Sequence, residues 1–231
     1  MLTPEDILPL HLADVTFPPP HPLAGTQGPV YAYAIRHPDG VLLVDTGIGW
    51  GDAEIDDAYR PERRQLSEAL GAHGLTPRDV ALVVNTHLHF DHCGSNHLFP
   101  RVPIYVQHDE YAAAHTLPHF TILDWVDFPD AHYEQVRGEH QILPGVRLLP
   151  TPGHTPGHQS VTIDTVSGLA VLAGQAIYSA AEYRQLVSTG RLAGGSGDPE
   201  RALASARRLV SLEPRHVYFS HDSARWDRPA A

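Results

Sequence analysis

Apolar residues in this chain come mostly in short runs of about three to six, each closed by a polar residue, glycine or proline. Runs that short, rich in valine, leucine and isoleucine, predict strands covered on both faces rather than helices, which need ten or more residues. Residues 30–35 and 41–44 flank His37-Pro38-Asp39-Gly40 and predict a hairpin. Further strands are predicted at 80–84, 104–106, 146–149, 159–163, 169–173 and 216–219. Helical period is clear in fewer places. Residues 61–72 are expected to be helical, with Pro61 in the first turn, Leu66 and Leu70 on one face and Gly74 as a stop. A second helical segment follows the 104–106 strand and runs through Tyr111, Ala112, Ala113 and Ala114. Asp198 is expected to cap a helix from Pro199 to about Leu212, turning Leu203, Ala206 and Leu209 inward and leaving Arg201, Arg207 and Arg208 in solvent. Strands at both ends of the chain, alternating with two or three helices, predict two mixed sheets packed face to face with helices outside.

Two stretches depart from this pattern. Residues 1–29 are rich in proline (Pro18, Pro19, Pro20, Pro22, Pro29) and carry no period. They are expected to form an arm over the body or around a partner subunit, with a flexible tail as the equal alternative. Residues 117–140 mix aromatics (Phe120, Trp125, Phe128, Tyr133) with acids (Asp124, Asp127, Asp130, Glu134). An insertion of that composition either roofs a pocket or makes a dimer contact, and the sequence does not choose.

The strand ends carry the chemistry. Directly after residues 80–84 comes Asn85-Thr86-His87-Leu88-His89-Phe90-Asp91-His92. His87 and His89, two apart in extended chain, point to one side, whereas Asp91 and His92 fall where the chain turns toward a helix. Such a layout suits two adjacent divalent ions, one held by imidazoles and one by carboxylate plus imidazole. A polar loop in a chain with 17 histidines is the plain alternative, but chance rarely orders three imidazoles and a carboxylate at the mouth of a strand. The same placement recurs. Residues 146–149 lead to Thr151-Pro152-Gly153-His154-Thr155-Pro156-Gly157-His158, and residues 216–219 to Ser220-His221-Asp222. His154 is a candidate third imidazole on a loop stiffened by proline and glycine, and His158 reads as structural. Asp45, at the end of the 41–44 strand, is either a partner that orients a ligating imidazole or a turn cap.

Composition narrows the setting. The 231 residues fit one domain spanning 1–231, and 42% hydrophobic content is enough for a sizeable interior. Sixteen basic against 27 acidic residues give a formal charge of −11, which argues for a small-molecule substrate and against nucleic acid. No apolar run approaches a membrane span, and Glu5, Asp6 and several prolines stand where a secretion signal would need a basic patch and an apolar core. One cysteine, Cys93, excludes an intrachain disulfide and fits a reducing compartment, so a cytoplasmic protein is expected.

The three histidine-bearing stretches together resemble the metallo-β-lactamase superfamily, and within it most nearly the N-acyl-homoserine lactone lactonases. The likeness runs from the 41–47 region to His221. It implies an α+β fold, a four-layer αββα sandwich, and one or two metal ions, usually zinc. By match of position, His87, His89 and His154 would hold the first ion and Asp91, His92 and His221 the second. Asp91 would also hold the attacking water and pass its proton on. Tyr178 falls where the lactonases place a tyrosine against the substrate carbonyl. One position departs from the family. Gln175 stands where an aspartate normally bridges both ions, so a neutral amide replaces a carboxylate between two cations. That implies weaker binding of the second ion, a longer separation, or a single-metal enzyme. Glu182 would substitute only if the chain loops back.

The resulting expectation is a metal-dependent hydrolase that opens a lactone or related ester. A thioesterase or an amide or β-lactam hydrolase on the same scaffold is the alternative. A mononuclear iron oxygenase, or a metal-holding protein that binds without turnover, is the alternative of another class. The proline-rich arm suits a homodimer.

Overall fold

The strongly apolar runs become interior strands because both of their faces are covered. The computed structural model describes residues 1–21, 23–192 and 197–229. Strands β1 (Ile7–Thr16), β2 (Gln27–His37), β3 (Gly40–Val44), β4 (Glu62–Arg63), β5 (Val80–Val84), β6 (Pro103–Gln107) and β7 (His132–Val136) form one sheet, ordered β4-β1-β2-β3-β5-β6-β7. Strands β8 (His140–Leu143), β9 (Val146–Pro150), β10 (Gln159–Thr165), β11 (Gly168–Leu172), β12 (His216–Phe219) and β13 (Asp222–Asp227) form the other, ordered β13-β12-β11-β10-β9-β8. Side chains alternate faces, so Leu42 and Val44 of β3 point between the sheets while Leu43 points out.

Between the sheets Ile35, Leu42, Leu82 and Val84 meet Leu148, Val161, Ile163 and Leu172. On the outer face of the first sheet, Leu10, Ala34, Leu43 and Val83 cluster with Leu66 and Leu70 from a helix at Leu66–Gly71. On the outer face of the second, Val171, Val217 and Phe219 cluster with Tyr183 and Leu186 from a helix at Ala180–Thr189 and with Ala206 and Leu209 from one at Pro199–Ser211. Helix, sheet, sheet, helix is the αββα sandwich that the resemblance implies.

The structure departs from the sequence reading in several elements. Within residues 1–29, β1 pairs antiparallel with β2 from Ile7 opposite Ile35 to Thr16 opposite Gln27, and Ile7, Leu8, Leu10, Leu12, Ala13 and Val15 are buried. Pro9 and several polar positions hide that strand's alternation; what leaves the sheet is the stretch after Thr16, in which Pro22 lies outside the described residues. The helix expected at 61–72 starts only at Leu66, because Glu62 and Arg63 pair with Asp14 and Ala13 as an edge strand. The helix at Ala53–Tyr59 has no buried residue and so no apolar stripe to read; Asp52 caps it by accepting the Ile55 N–H at 2.9 Å. The helix at Ala180–Thr189 is announced only by Ser179, which accepts the Glu182 N–H, and by Gly190 in the left-handed region at its end. Residues 117–140 contribute β7 to the sheet edge as well as a short helix at Leu123–Val126.

Strands β3 and β5 run parallel, as do β11 and β12, and β9 shares the direction of β11 through the antiparallel β10 between them. Loops that leave the carboxyl ends of these strands therefore collect at one edge of the sandwich. Asp45, His87, His154, Gln175 and His221 all lie on such loops.

Candidate metal centre

Strand β5 delivers Thr86 and His87 into a framework built around Asp45. The Asp45 carboxylate accepts the Thr86 N–H at 2.7 Å and the Thr86 hydroxyl at 2.8 Å. It also accepts the His92 Nδ1–H at 2.8 Å. Asp45 holds a backbone φ of +62°, which an aspartate tolerates better than most residues. The sequence left this residue open between an orienting partner and a turn cap; in the structure its carboxylate bonds a histidine ring. With Nδ1–H given to Asp45, His92 turns Nε2 toward the cleft.

The same logic fixes two further rings. The Thr86 hydroxyl, already a donor to Asp45, accepts from His87 Nδ1 at 3.1 Å. His221 Nδ1 donates to the Pro29 carbonyl at 2.9 Å. All three rings thus turn Nε2 into the cleft, and all three Nε2 atoms are buried without a partner. They gather at Asp91. Its Oδ2 lies 3.5 Å from His92 Nε2 and 3.6 Å from His221 Nε2, and the Asp91, His87 and His92 donor atoms lie within 4.8 Å of one another.

Beside this group His87, His89 and His154 also bring donor atoms within 4.8 Å of one another. His154 Nε2 stands 3.1 Å from His89 Nδ1. Two nitrogens about 2.0–2.1 Å from a tetrahedral ion would be roughly 3.3–3.4 Å apart, so this spacing needs little adjustment to hold one. Among the described residues, six buried side-chain polar atoms lack a partner, and five belong to this cleft: Nε2 of His87, His92 and His221, Nδ1 of His154 and Oε1 of Gln175. Imidazole nitrogens and a carboxylate buried together with so few partners among the protein's own groups are the donor set that suits a divalent cation. The residues fit one ion or two.

Burial and neighbouring imidazoles hold His87 and His154 well below the usual histidine range, and burial takes His89 to about 4, so these rings stay neutral and free to donate electron pairs. Burial opposes charge on His92 too, but Asp91 and Asp45 outweigh it and raise that ring to about 10. Burial likewise opposes the charge on Asp91, yet His92, His221 and His89 hold its carboxyl well below the ordinary range.

Gln175 follows β11 at a Gly-Gln pair. A side chain at Gly174 would put its Cβ 2.7 Å from His158 Nε2, and φ there is +59°. The Gln175 N–H donates to His158 Nε2 at 3.0 Å, and His158 Nδ1 in turn meets the Thr151 hydroxyl at 2.9 Å. Both nitrogens of His158 are therefore engaged, and it serves the loop. The Gln175 Nε2 donates to the Tyr178 hydroxyl at 2.7 Å, which leaves Oε1 as the atom without a partner. Tyr178 stacks on His221 at 5.3 Å between ring centroids. Glu182, weighed as a substitute for the missing carboxylate, accepts the Tyr178 N–H through Oε2 at 2.7 Å.

A cleft of about 410 Å³ adjoins His89 and His154, lined by Leu117, Phe120, Pro156 and Arg201 among others. Leu117 and Phe120 come from the 117–140 stretch, and the Phe120 ring lies 5.0 Å from that of His89. From the other side the stretch after Thr16 brings Phe17, buried and set edge-on to His221 at 6.4 Å, and His21, stacked on Phe17 at 4.3 Å. Neither was singled out from the sequence, where a lone phenylalanine and histidine among prolines give no signal. Phe90, between His89 and Asp91, packs on Tyr59 at 4.5 Å.

The sequence profile of the metallo-beta-lactamase superfamily matches residues 25–221. An N-acyl homoserine lactonase of Bacillus cereus is 34% identical over 210 residues, which covers 84% of this chain and 81% of that one. Among solved structures, a point mutant of the B. thuringiensis protein AiiA with N-decanoyl-L-homoserine at its active site superposes with a TM-score of 0.78 at 28% identity, covering 94% of this chain and 92% of that chain. An N-acyl homoserine lactone hydrolase with N-hexanoyl-L-homoserine bound at its catalytic metal centre gives 0.77 at 28%, with the same coverage.

Proposed function

The chain belongs to the metallo-beta-lactamase superfamily, and from that premise we propose that it is a metal-dependent lactonase acting on N-acyl homoserine lactones. The observation that carries the reading is the convergence of orphaned buried polar atoms around Asp91 and His87. On this reading His87, His89 and His154 hold one ion, and Asp91, His92 and His221 hold a second. His221 is brought in by its Nε2 at 3.6 Å from Asp91 Oδ2, while the donor cluster at Asp91 itself takes in His87 and His92. Zinc is the metal that imidazoles and a carboxylate suit. Bound there, divalent ions supply Lewis acidity and bring the pKa of water from about 15.7 toward 7.

The chain's own groups do the rest. Asp91, kept ionised, orients the attacking water and carries its proton to the ring oxygen as the ester C–O bond breaks, leaving a carboxylate and a free hydroxyl on the product. Tyr178 donates to the substrate carbonyl oxygen. Its hydroxyl already accepts from Gln175, so its own proton is free to point elsewhere, and burial keeps the phenol protonated. Leu117, Phe120 and Pro156 give the cleft an apolar wall that sheds water around an organic substrate. A net charge of −11 fits a small-molecule hydrolase of the cytoplasm, and a homodimer remains part of the proposal, to be checked by sedimentation.

Gln175 sets this chain apart. On this reading a neutral amide at Gln175, its oxygen buried without a partner, takes the place of a carboxylate between the two cation positions, so the second ion is held less firmly. Elemental analysis of the purified protein, run alongside a panel of lactones, thioesters and β-lactams, tests both parts. Expected are ring opening of acyl homoserine lactones, fewer than two zinc ions per chain, and a rise toward two in Gln175→Asp. Two ions in both proteins would sink the Gln175 argument, iron with a visible redox response would overturn zinc, and turnover confined to thioesters or β-lactams would overturn the substrate class.

Metal uptake should also depend on pH in a stated direction. His92 is raised to about 10 in the metal-free protein, so an incoming ion must displace its proton at neutral pH. Affinity at the Asp91–His92–His221 group is therefore expected to rise by about tenfold per pH unit between roughly 6.5 and 8.5, one proton being released per ion. Competition with a chelator of known affinity at each pH measures it, and a flat profile would contradict the ion-paired state of His92.

A further inference from the structure

Asp45 braces one half of the centre through an imidazole, and a second buried carboxylate braces the other half without touching any ring. Glu110 lies in the helix His108–Thr116, is fully buried, and forms no salt bridge among the described residues. Its Oε1 accepts the Leu88 N–H at 2.9 Å. Its Oε2 accepts the Thr155 hydroxyl at 2.6 Å and the Gly157 N–H at 3.0 Å. Leu88 is the residue between His87 and His89, and Thr155 and Gly157 follow His154. One side chain therefore ties together the two loops that carry all three imidazoles of the first group.

The surroundings leave those loops little room. The Leu88 carbonyl accepts from the Cys93 thiol at 3.5 Å, so the Leu88 residue is held through both its N–H and its C=O. The Leu88 side chain is buried in a cluster with Cys93, Val106, Ala114 and Val126. On the other loop, a Cβ added at Gly157 would fall 2.1 Å from the Glu110 backbone nitrogen, so that loop approaches the helix as closely as a glycine permits. A carboxylate with no cation of its own, accepting three donors from two ligand-bearing loops, does not serve the helix that carries it. A core position facing Leu88 would ordinarily be apolar.

We propose that Glu110 is a positioning residue for the first metal group: it sets the separation and direction of His87, His89 and His154 by clamping their two backbones together. The proposal rests on the metal-centre reading above. Its consequence is that the first group loses affinity when the clamp is loosened, although no ligand is altered. Removing a partner that orients ligands typically lowers metal affinity about 10–100-fold.

The test compares wild type, Glu110→Gln and Thr155→Val in zinc competition against a chelator and in the visible spectrum of the cobalt-loaded protein. Circular dichroism and thermal unfolding of the metal-free forms report folding. Glu110→Gln keeps the shape but turns an NH2 group toward a donor, and is expected to lose zinc affinity within that range with an altered cobalt spectrum. Thr155→Val keeps the charge and deletes one arm, so a loss of about two- to tenfold there separates positioning from long-range electrostatics. Should Glu110→Gln fail to fold, the Thr155→Val comparison decides alone. Wild-type affinity and spectrum in the folded variants would overturn the role of Glu110 and leave the metal centre standing. Absence of zinc and cobalt uptake by the wild type would overturn the metal centre and this role with it.

Discussion

Asp91→Asn is expected to lower kcat on an N-acyl homoserine lactone by about 10²–10⁴-fold at saturating zinc, with KM little changed. The size follows from a group with two duties. Its Oδ2 stands near His92 Nε2 and His221 Nε2, at 3.5 and 3.6 Å. The three histidines around it keep it ionised through the whole working range, so the acceptor form is present at every pH at which the reaction runs. Asparagine has the same shape and one good acceptor oxygen, but neither the charge nor the basicity. The fold should therefore persist while proton transfer fails and the second ion is bound less firmly. Steady-state kinetics at several zinc concentrations separate the two effects. A fall in kcat that excess zinc restores to within tenfold of wild type would remove Asp91 from the proton path and leave it a ligand only.

The largest effect on stability is expected at Asp45. In the metal-free protein, Asp45→Ala should destabilise the fold by about 3–5 kcal/mol, the usual result of removing one member of a buried, hydrogen-bonded charged pair. Asp45 is 2% exposed, His92 0% and Thr86 1%. Removal strands the Thr86 N–H and hydroxyl and the His92 Nδ1–H in a buried site. Alanine also sits poorly at a φ of +62°, which adds to the loss. For a chain of this size the melting midpoint should fall by about 6 °C or more. Asp45→Asn keeps one acceptor and tolerates the backbone, so its loss should be intermediate. Calorimetry of the metal-free proteins decides, and a shift of a degree or two in the alanine variant would mean that His92 and Thr86 find other partners.

How much of this was readable beforehand depends on where each residue's partners lie. The interior strands β3, β5, β11 and β12 are legible because apolar cover on both faces writes itself as a short apolar run. The helix at Pro199–Ser211 is legible because its cap and its inward stripe lie within one local window. Elements with mixed surroundings are not. Strand β1 is broken by Pro9 and polar positions, β7 and β13 are largely exposed edge strands, and the helix at Ala53–Tyr59 buries nothing. Their conformation is chosen by a neighbour, and a neighbour is not a local property.

The candidate centre divides in the same way. His87, His89, Asp91 and His92 share six residues of chain, so the local geometry of a strand running into a helical turn already points them in two directions. His154, Gln175 and His221 announce themselves as residues after strands, and the family resemblance supplies their roles. Sequence alone therefore determined the imidazole and carboxylate groups of the candidate centre and the apolar runs that bracket them, and the resemblance raised the expectation that Gln175 stands where the family has an aspartate. Only the tertiary structure decided that parallel β3 and β5, and β9, β11 and β12, open onto one edge, that Asp45 and Pro29 engage Nδ1 of His92 and His221 and leave their Nε2 atoms without a partner, that the Gln175 NH2 is held by the Tyr178 hydroxyl, and that Glu110 spans two loops. The physical reason is one of range. Side-chain type and backbone period are set within a few residues, whereas tautomer, lone-pair direction and burial are set by whatever lies across the fold.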